Sequence, residues 1–479
     1  MPDESYGTVS SSSSSSETLD APDTQPTGKA SLSSSVTNLA NTIIGSGALA
    51  FPSAFASMGL AVGFLSCAFS GVTAFFGLYL LSRCATRVGE RPGDEGRKAS
   101  FNEVARLTFG KGWATRGFDL AIAIKCFGVS VSYLIIVKTL LPQVCLTLST
   151  SLGHALPDHS ILLSDRFWLV AAMLVIIPLS FLRTLDSLRF TSQIALATVV
   201  YLVLVVVGWY FVKGESSKKG NVVWARFGHN TLSSFPVQVF AYTCAQNLFP
   251  IFNELKDRSQ KRMNIVMASS IGSAAAVYEV LGIIGYLTFG DKVGSNVIAM
   301  YPATSLVIAV GRLGMVLLVG LSYPLQALPC RQSLHGLTAG LFTRTRETKA
   351  ISSDGEAEED EESSLVPKHG DIGRRSAGDM SQGEYIGFTV GILVSGFIIA
   401  ELVDEMGVVL GFVGSTGSTI ISFILPGFFY FRLFRSEPGA TKWFALALGI
   451  YGLAVMGFCL TFNILNLRPR REASPSPLV

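Results

Sequence analysis

Eleven apolar runs of roughly 20 residues dominate the chain, at 31–57, 60–86, 117–149, 166–183, 190–212, 233–253, 263–289, 303–335, 384–402, 406–434 and 441–467. A helix of about 20 apolar residues crosses the roughly 30 Å of hydrocarbon in a bilayer. Inside hydrocarbon every backbone N–H and C=O must find a partner within the protein, which helices of this length achieve on their own. The pattern therefore predicts an all-α polytopic membrane protein with 11 transmembrane helices. A mean hydropathy of +0.46 with only 15% charged residues fits no soluble multidomain chain of this length. The third, eighth and tenth runs exceed the bilayer thickness and must tilt, bend or project.

The segments outside the runs are polar. Residues 1–30 are rich in Ser, Thr, Asp and Pro, too poor in apolar surface to order themselves, and read as a disordered cytoplasmic tail. Residues 341–382 form one long acidic loop containing Asp354–Ser364, either a site of phosphorylation or sorting or a solvated spacer between helix bundles. Residues 468–479 make a short non-cytoplasmic tail, and the membrane domain spans 31–467. Lys and Arg fix this orientation: with the N-terminus cytoplasmic, 25 fall on the cytoplasmic side and 9 on the other. The polar start is no signal peptide. A net charge of +3 gives no argument for nucleic acid, and the seven cysteines show neither metal nor disulfide spacing. There is no P-loop, no H-E-x-x-H and no nucleophile elbow, and all five histidines lie outside the runs or at their edges. The chain reads as no enzyme, with no cofactor and no metal.

Two runs are interrupted. The first, Ser33–Ala56, has Gly45-Ser46-Gly47 at its centre and Pro52 beyond. Glycine is a poor helix former, and the sequence invites the helix to unwind at mid-membrane. Freed backbone there is tolerated only around a buried or watery cavity, the site-building device of secondary transporters. The other reading is a membrane helix packed closely through small residues. The sixth run carries Thr243, Gln246 and Asn247, and Pro250 removes the donor that would pair with the Gln246 carbonyl. Runs one and six occupy matching positions in two five-helix halves, the pattern of inverted repeats with a midplane site. Ionisable groups within runs are functional candidates because burial is costly: Lys125 in the third run and Glu279 in the seventh. Lys125 serves either as a fixed cation replacing a coupling ion or as the partner of Glu279. Arg312 and Lys138 lie close enough to run ends to snorkel, and Glu401, Asp404 and Glu405 read as non-cytoplasmic surface charge. Phe101–Phe109 has helical apolar spacing and makes either an amphipathic helix on the membrane surface or a loop helix.

These residues carry a resemblance. Asn41–Gly47 with Pro52, Ala123–Val129 through Ser132-Tyr133, Phe240–Cys244 with Gln246-Asn247, Pro250–Leu255, and Gly285–Gly290 together resemble the amino acid/auxin permease family. Within it they are most similar to the vacuolar amino acid transporters of fungi, relatives of the sodium-coupled neutral amino acid transporters. The resemblance covers about 31–467. It implies the leucine-transporter-like fold, a 5+5 inverted repeat plus one extra helix, moving amino acids by alternating access. It further implies that the unwound Ile44, Gly45, Ser46 and Gly47 backbone takes the substrate's carboxylate and amine, with Asn41 and Thr42 nearby. Tyr242, Thr243 and Gln246 would face the substrate, and Ser322 matches a hydroxyl that helps hold sodium in coupled relatives. Ala245 stands where many relatives have a histidine, and Val137-Lys138-Thr139 where they often have an acidic residue. The expectation is a secondary active, proton-linked transporter of neutral amino acids from vacuole to cytosol, with sodium as the other possible ion. The alternative is an amino acid sensor that signals through its cytoplasmic tail.

Overall fold

The computed structural model describes residues 30–89, 100–110, 113–153, 157, 159–181, 191–213, 220–256, 259–351 and 380–466. The tail at 1–29, the acidic stretch at 352–379 and the C-terminal segment lie outside the described residues.

Helices occupy each of the eleven positions. The first run is broken. Helix α1 (Leu32–Ile43), whose Ser31 hydroxyl caps it by accepting from the Ser34 N–H at 3.2 Å, stops at Ile43. Beyond Ile44 and Gly45 the chain winds as a 3-10 turn over Ser46–Ala50 and continues as α2 (Phe51–Met58). The two arms meet at 47°. Pro52 sits in the first turn of α2, where its missing N–H has no intrahelical acceptor to lose. Continuous helices follow in α3 (Leu60–Gly89), α5 (Trp113–Ser151), α6 (Asp165–Ser180) and α7 (Thr191–Lys213), with the short α4 (Phe101–Phe109) between α3 and α5.

The sixth run is broken too, but not at Pro250. Helix α8 (His229–Ala241) ends before Tyr242, a 3-10 turn spans Ala245–Asn247, and α9 (Leu248–Glu254) carries Pro250 in its first turn. Proline costs little there; the interruption lies at Tyr242–Asn247. The chain then runs through α10 (Gln260–Phe289), α11 (Leu306–Ile351) and α12 (Gln382–Leu402). The tenth run holds a third irregularity. Helix α13 (Met406–Val413) passes into two π-helical stretches, Gly414–Ser418 and Ile420–Ile424, before α14 (Leu425–Leu433), and α15 (Thr441–Asn466) closes the chain.

Among the described residues, eight helices are long and apolar enough to cross a membrane, nine if the bent first pair is one span. Helix α5 is the central mast. Its apolar window is 83% buried, against 28% for α12 at the periphery. It packs along α11, while α10 lies against α1, α2 and α3.

Several local expectations change. Helix α11 continues to Ile351, into the stretch expected to be loop. Helix α4 is the short helix expected over Phe101–Phe109. Ser100 caps it and Gly110 at φ 78° ends it, and Phe101 stacks on Phe118 at 4.1 Å and meets Phe249 edge-on at 4.3 Å. Its apolar face is thereby docked on α5 and α9. Lys138 does not snorkel. Buried, it donates to the carbonyls of Ala400 at 2.5 Å and Val403 at 3.2 Å and pairs with Asp404 at 3.0 Å, so it caps the C-terminal end of α12. Arg312 is fully buried and donates to Ile298 O at 3.3 Å and Tyr301 O at 2.6 Å, pinning the 290–305 connection onto α11.

Candidate functional site

The two breaks touch. A Cβ added to Gly47 would stand 2.8 Å from Ala241 Cβ and 3.1 Å from Ala241 Cα, so only glycine lets the unwound segment of the first run reach the end of α8. Among the described residues, the N–H groups of Gly45, Ser46 and Gly47, and those of Cys244, Ala245 and Gln246, take part in none of the backbone hydrogen bonds outside the helices. Unwinding thus leaves two sets of donors at one level of the bundle.

One side chain ties the breaks together. Tyr278 of α10 points its hydroxyl at Ile43 O, 2.7 Å away, and at Ala241 O, 3.0 Å away, the last carbonyls of α1 and α8. A single phenolic proton serves the open ends of both helices. Tyr278 is held by stacking on Phe51 at 4.2 Å and by an edge contact with Tyr242 at 5.2 Å.

Between the breaks lies a cavity of about 20 Å3, room for one or two water molecules. Anything larger requires the walls to part. The first run contributes Thr42, Ile43, Gly45, Ser46 and Gly47, and the sixth contributes Phe240, Ala241 and Thr243. Helix α5 adds Lys125, Val129 and Tyr133, and α11 adds Gln326. Ser46 Oγ lies 3.4 Å from Ser132 Oγ, and Thr243 accepts from Ser422 of the π-helical segment at 3.2 Å. Gly417 lets that segment approach, since a Cβ there would meet Ala121 O at 2.6 Å and Lys125 N at 2.9 Å. On one side the cavity is closed by Asn247 Nδ2 donating to Thr42 Oγ1 at 2.8 Å. Farther along that side, the Ala30 N–H donates to Glu254 O at 2.8 Å and the Lys256 N–H to Ala30 O at 3.0 Å, stitching the start of α1 to the end of α9.

Of the residues expected at the site, Thr42, Gly45, Ser46, Gly47, Thr243 and Lys125 line the cavity. Asn41, Ile44, Tyr242, Gln246, Glu279 and Ser322 do not. Tyr242 turns instead toward Cys67, its hydroxyl 3.2 Å from the sulfur, and the carboxyl of Glu279 lies against the same Cys67. Among the described residues no ion pair joins Lys125 to Glu279, so the expected buried pair is not formed: Lys125 faces the cavity, and Glu279 faces Cys67 behind Tyr242. Ser322 is half-buried on α11, one turn before the lining Gln326. Sequence reasoning passed over Tyr133, Tyr278, Gln326 and Ser422. The small polar run Gly414–Thr419 in an apolar stretch was the one visible sign that the tenth run contributes a wall.

Vacuolar amino acid transporter 5 of Schizosaccharomyces pombe is 40% identical over 452 residues, 92% of this chain and 96% of that protein. Vacuolar amino acid transporter 5 of Saccharomyces cerevisiae is 33% identical over 449 residues, 88% of this chain and 95% of that one. The crystal structure of MhsT in complex with L-phenylalanine aligns at a TM-score of 0.47 and 15% identity, covering 90% of this chain and 96% of that chain. The family profile described as transmembrane amino acid transporter protein matches residues 28–466, and the chain belongs to that family.

Proposed function

We propose that the protein is a secondary active, proton-linked transporter that moves neutral amino acids from vacuole to cytosol by alternating access around the cavity between the two breaks. One observation carries this reading: two helices are interrupted at the same level, in contact through Gly47 and Ala241, and on both sides N–H groups join none of the backbone hydrogen bonds outside the helices among the described residues. Such half-helix ends are how a membrane protein presents backbone groups to a polar solute without exposing them to lipid. The α-carboxylate and amine of the substrate engage the Ile44–Gly47 backbone, with Thr42 and Thr243 adjacent. Asn41, Tyr242 and Gln246 close on the substrate once the walls part. The architecture is eleven spans, a 5+5 inverted repeat plus one, with the N-terminus in the cytosol. The vacuolar membrane follows the names of the two fungal relatives. Proton rather than sodium coupling is supported by the position of Ser322 off the cavity and of a lysine amine on it.

The test is flux of radiolabelled amino acids into proteoliposomes, with an imposed pH gradient and with sodium present or absent. Accumulation should follow the pH gradient and be indifferent to sodium. Binding without flux would turn the reading to a sensor. Sodium-dependent flux that disappears in Ser322→Ala would replace the proton by sodium.

A further inference from the structure

Among the residues lining the cavity, Lys125 alone has a side chain that can carry a positive charge, and the cavity offers it no counter-ion. It is 4% exposed on the central helix α5. Among the described residues its ammonium has neither a hydrogen-bond acceptor nor a carboxylate partner. The titratable groups that face it are Cys126 on its own helix and Cys244 in the break of the sixth run. Tyr133, two turns along α5, and Gln326 of α11 line the same cavity. The π-helical segment presents the backbone of Gly417 to its main chain, and the first run presents Thr42 and the Gly45–Gly47 backbone. Glu279, the carboxyl expected to pair with Lys125, is turned to Cys67.

An unpaired ammonium inside a membrane protein is expensive, and an anion arriving beside it recovers much of that cost. A proton on the amine and a carboxylate in the cavity therefore stabilise each other, and by linkage each raises the affinity for the other by the same factor. We propose that Lys125 Nζ is the carboxylate-binding and proton-carrying group of the transporter, so that one carboxylate and one proton are taken up and released together. The proton leaves the water on the side where the substrate arrives and rests on Nζ while the carboxylate lies against it. It returns to water on the other side when the carboxylate departs. No other bond forms or breaks. This rests on the cavity's being the substrate site and explains how transport there becomes proton-linked. The carboxylate is either the α-carboxylate of any amino acid or the side-chain carboxylate of an acidic one.

The experiment uses the purified full-length protein and calorimetric binding of L-alanine, L-glutamine, L-glutamate and L-alanine methyl ester, in buffers of different ionisation enthalpy between pH 5 and pH 8. The unsubstituted protein should take up close to one proton per amino acid bound, with affinity falling as pH rises. If the α-carboxylate is the partner, all three free amino acids show this uptake and the ester does not bind. If the side-chain carboxylate is the partner, only L-glutamate does. Lys125→Gln should weaken binding at pH 5 by about 10- to 100-fold, the range for loss of a charge-assisted hydrogen bond. It should also abolish both the proton uptake and the pH dependence. Lys125→Arg holds its proton permanently; it should bind with no pH dependence and, in proteoliposomes, exchange substrate without accumulating it under a pH gradient. That second variant decides the matter if Lys125→Gln does not fold. Proton uptake unchanged in Lys125→Gln, or gradient-driven accumulation by Lys125→Arg, overturns the proposal while leaving the substrate site standing. Failure of the unsubstituted protein to bind any of the three amino acids overturns both.

Discussion

Gly45 and Gly47 flank the same serine and look equivalent in the sequence, yet their surroundings differ. A Cβ on Gly45 would meet only Tyr133 Oη at 4.0 Å, whereas one on Gly47 would collide with Ala241. Gly45→Ala should therefore fold and transport at near-normal rates, while Gly47→Ala should push the two breaks apart and lose transport. Uptake normalised to folded, correctly localised protein checks this, and equal damage at both positions would mean the contact with Ala241 is not what holds the site. Tyr278 offers a second test at this scale. Removing its hydroxyl in Tyr278→Phe leaves Ile43 O and Ala241 O without their donor in a buried place, which costs about 1–3 kcal/mol. The variant should show a lower thermal midpoint in detergent, and a larger loss in maximal rate than in apparent affinity, because the residue holds the helix ends and does not line the cavity. In the sequence Tyr278 is one more aromatic within an apolar run. Nothing local marks it, because its role exists only once two remote carbonyls are brought to it. Lys125 was legible for the opposite reason, since a charge in such a run needs an explanation wherever it ends up.

At the scale of elements, the runs were legible because hydrocarbon imposes a length and a composition that local sequence must satisfy. The breaks were legible in unequal degree. Glycines marked the first, but the second contains none, and Pro250 drew attention to a position a few residues too late. The π-helical stretch of the tenth run is set by tertiary fit, with Gly417 against α5 and Ser422 against Thr243, and no periodicity in the run announces it. The stitch between the start of α1 and the end of α9 was equally invisible, since it pairs backbone with backbone. It has a mechanical consequence. Alternating access around the cavity requires these two arms to separate on that side, which breaks both hydrogen bonds at Ala30. The bridge between Ala30 and Leu255 is parallel, and strands paired in this way lie about 4.7–4.9 Å apart, within the reach of a disulfide. A double variant, Ala30→Cys with Leu255→Cys, should lose transport under mild oxidation and regain it on reduction, with binding of substrate from the opposite side retained. Undiminished transport by the fully cross-linked protein would mean that the arms move as one body.

For the molecule as a whole, the deciding element is α6. At sixteen residues it is about 24 Å long, short of the roughly 30 Å of a bilayer core, and it fails the length test that eight other helices pass. Its neighbours argue that it crosses nonetheless. At one end Arg166 pairs with Glu401 at 2.6 Å, near the C-terminal end of α12. At the other, Phe181 O, just past its last turn, accepts from Tyr385 Oη at 3.1 Å, near the N-terminal end of α12. Helix α6 therefore runs antiparallel beside α12 over almost its whole length, and α12 is apolar and long enough to span. A short helix alongside a full span can cross by local thinning of the bilayer and by its flanking polar residues. If α6 crosses, five spans separate Asp158 from Ala357, and reporters inserted after these two residues must lie on opposite sides of the membrane. From the bias of Lys and Arg, the reporter after Ala357 should read cytosolic and the one after Asp158 should not. If α6 is instead a re-entrant or surface helix, four spans remain and both reporters fall on one side. Protease protection or a pH-sensitive fluorescent tag at each site reads the difference. Two reporters on the same side would remove α6 from the count of spans and with it the five-helix symmetry between the halves, while reversed sides would keep the spans and invert the direction in which an acid compartment drives the carrier.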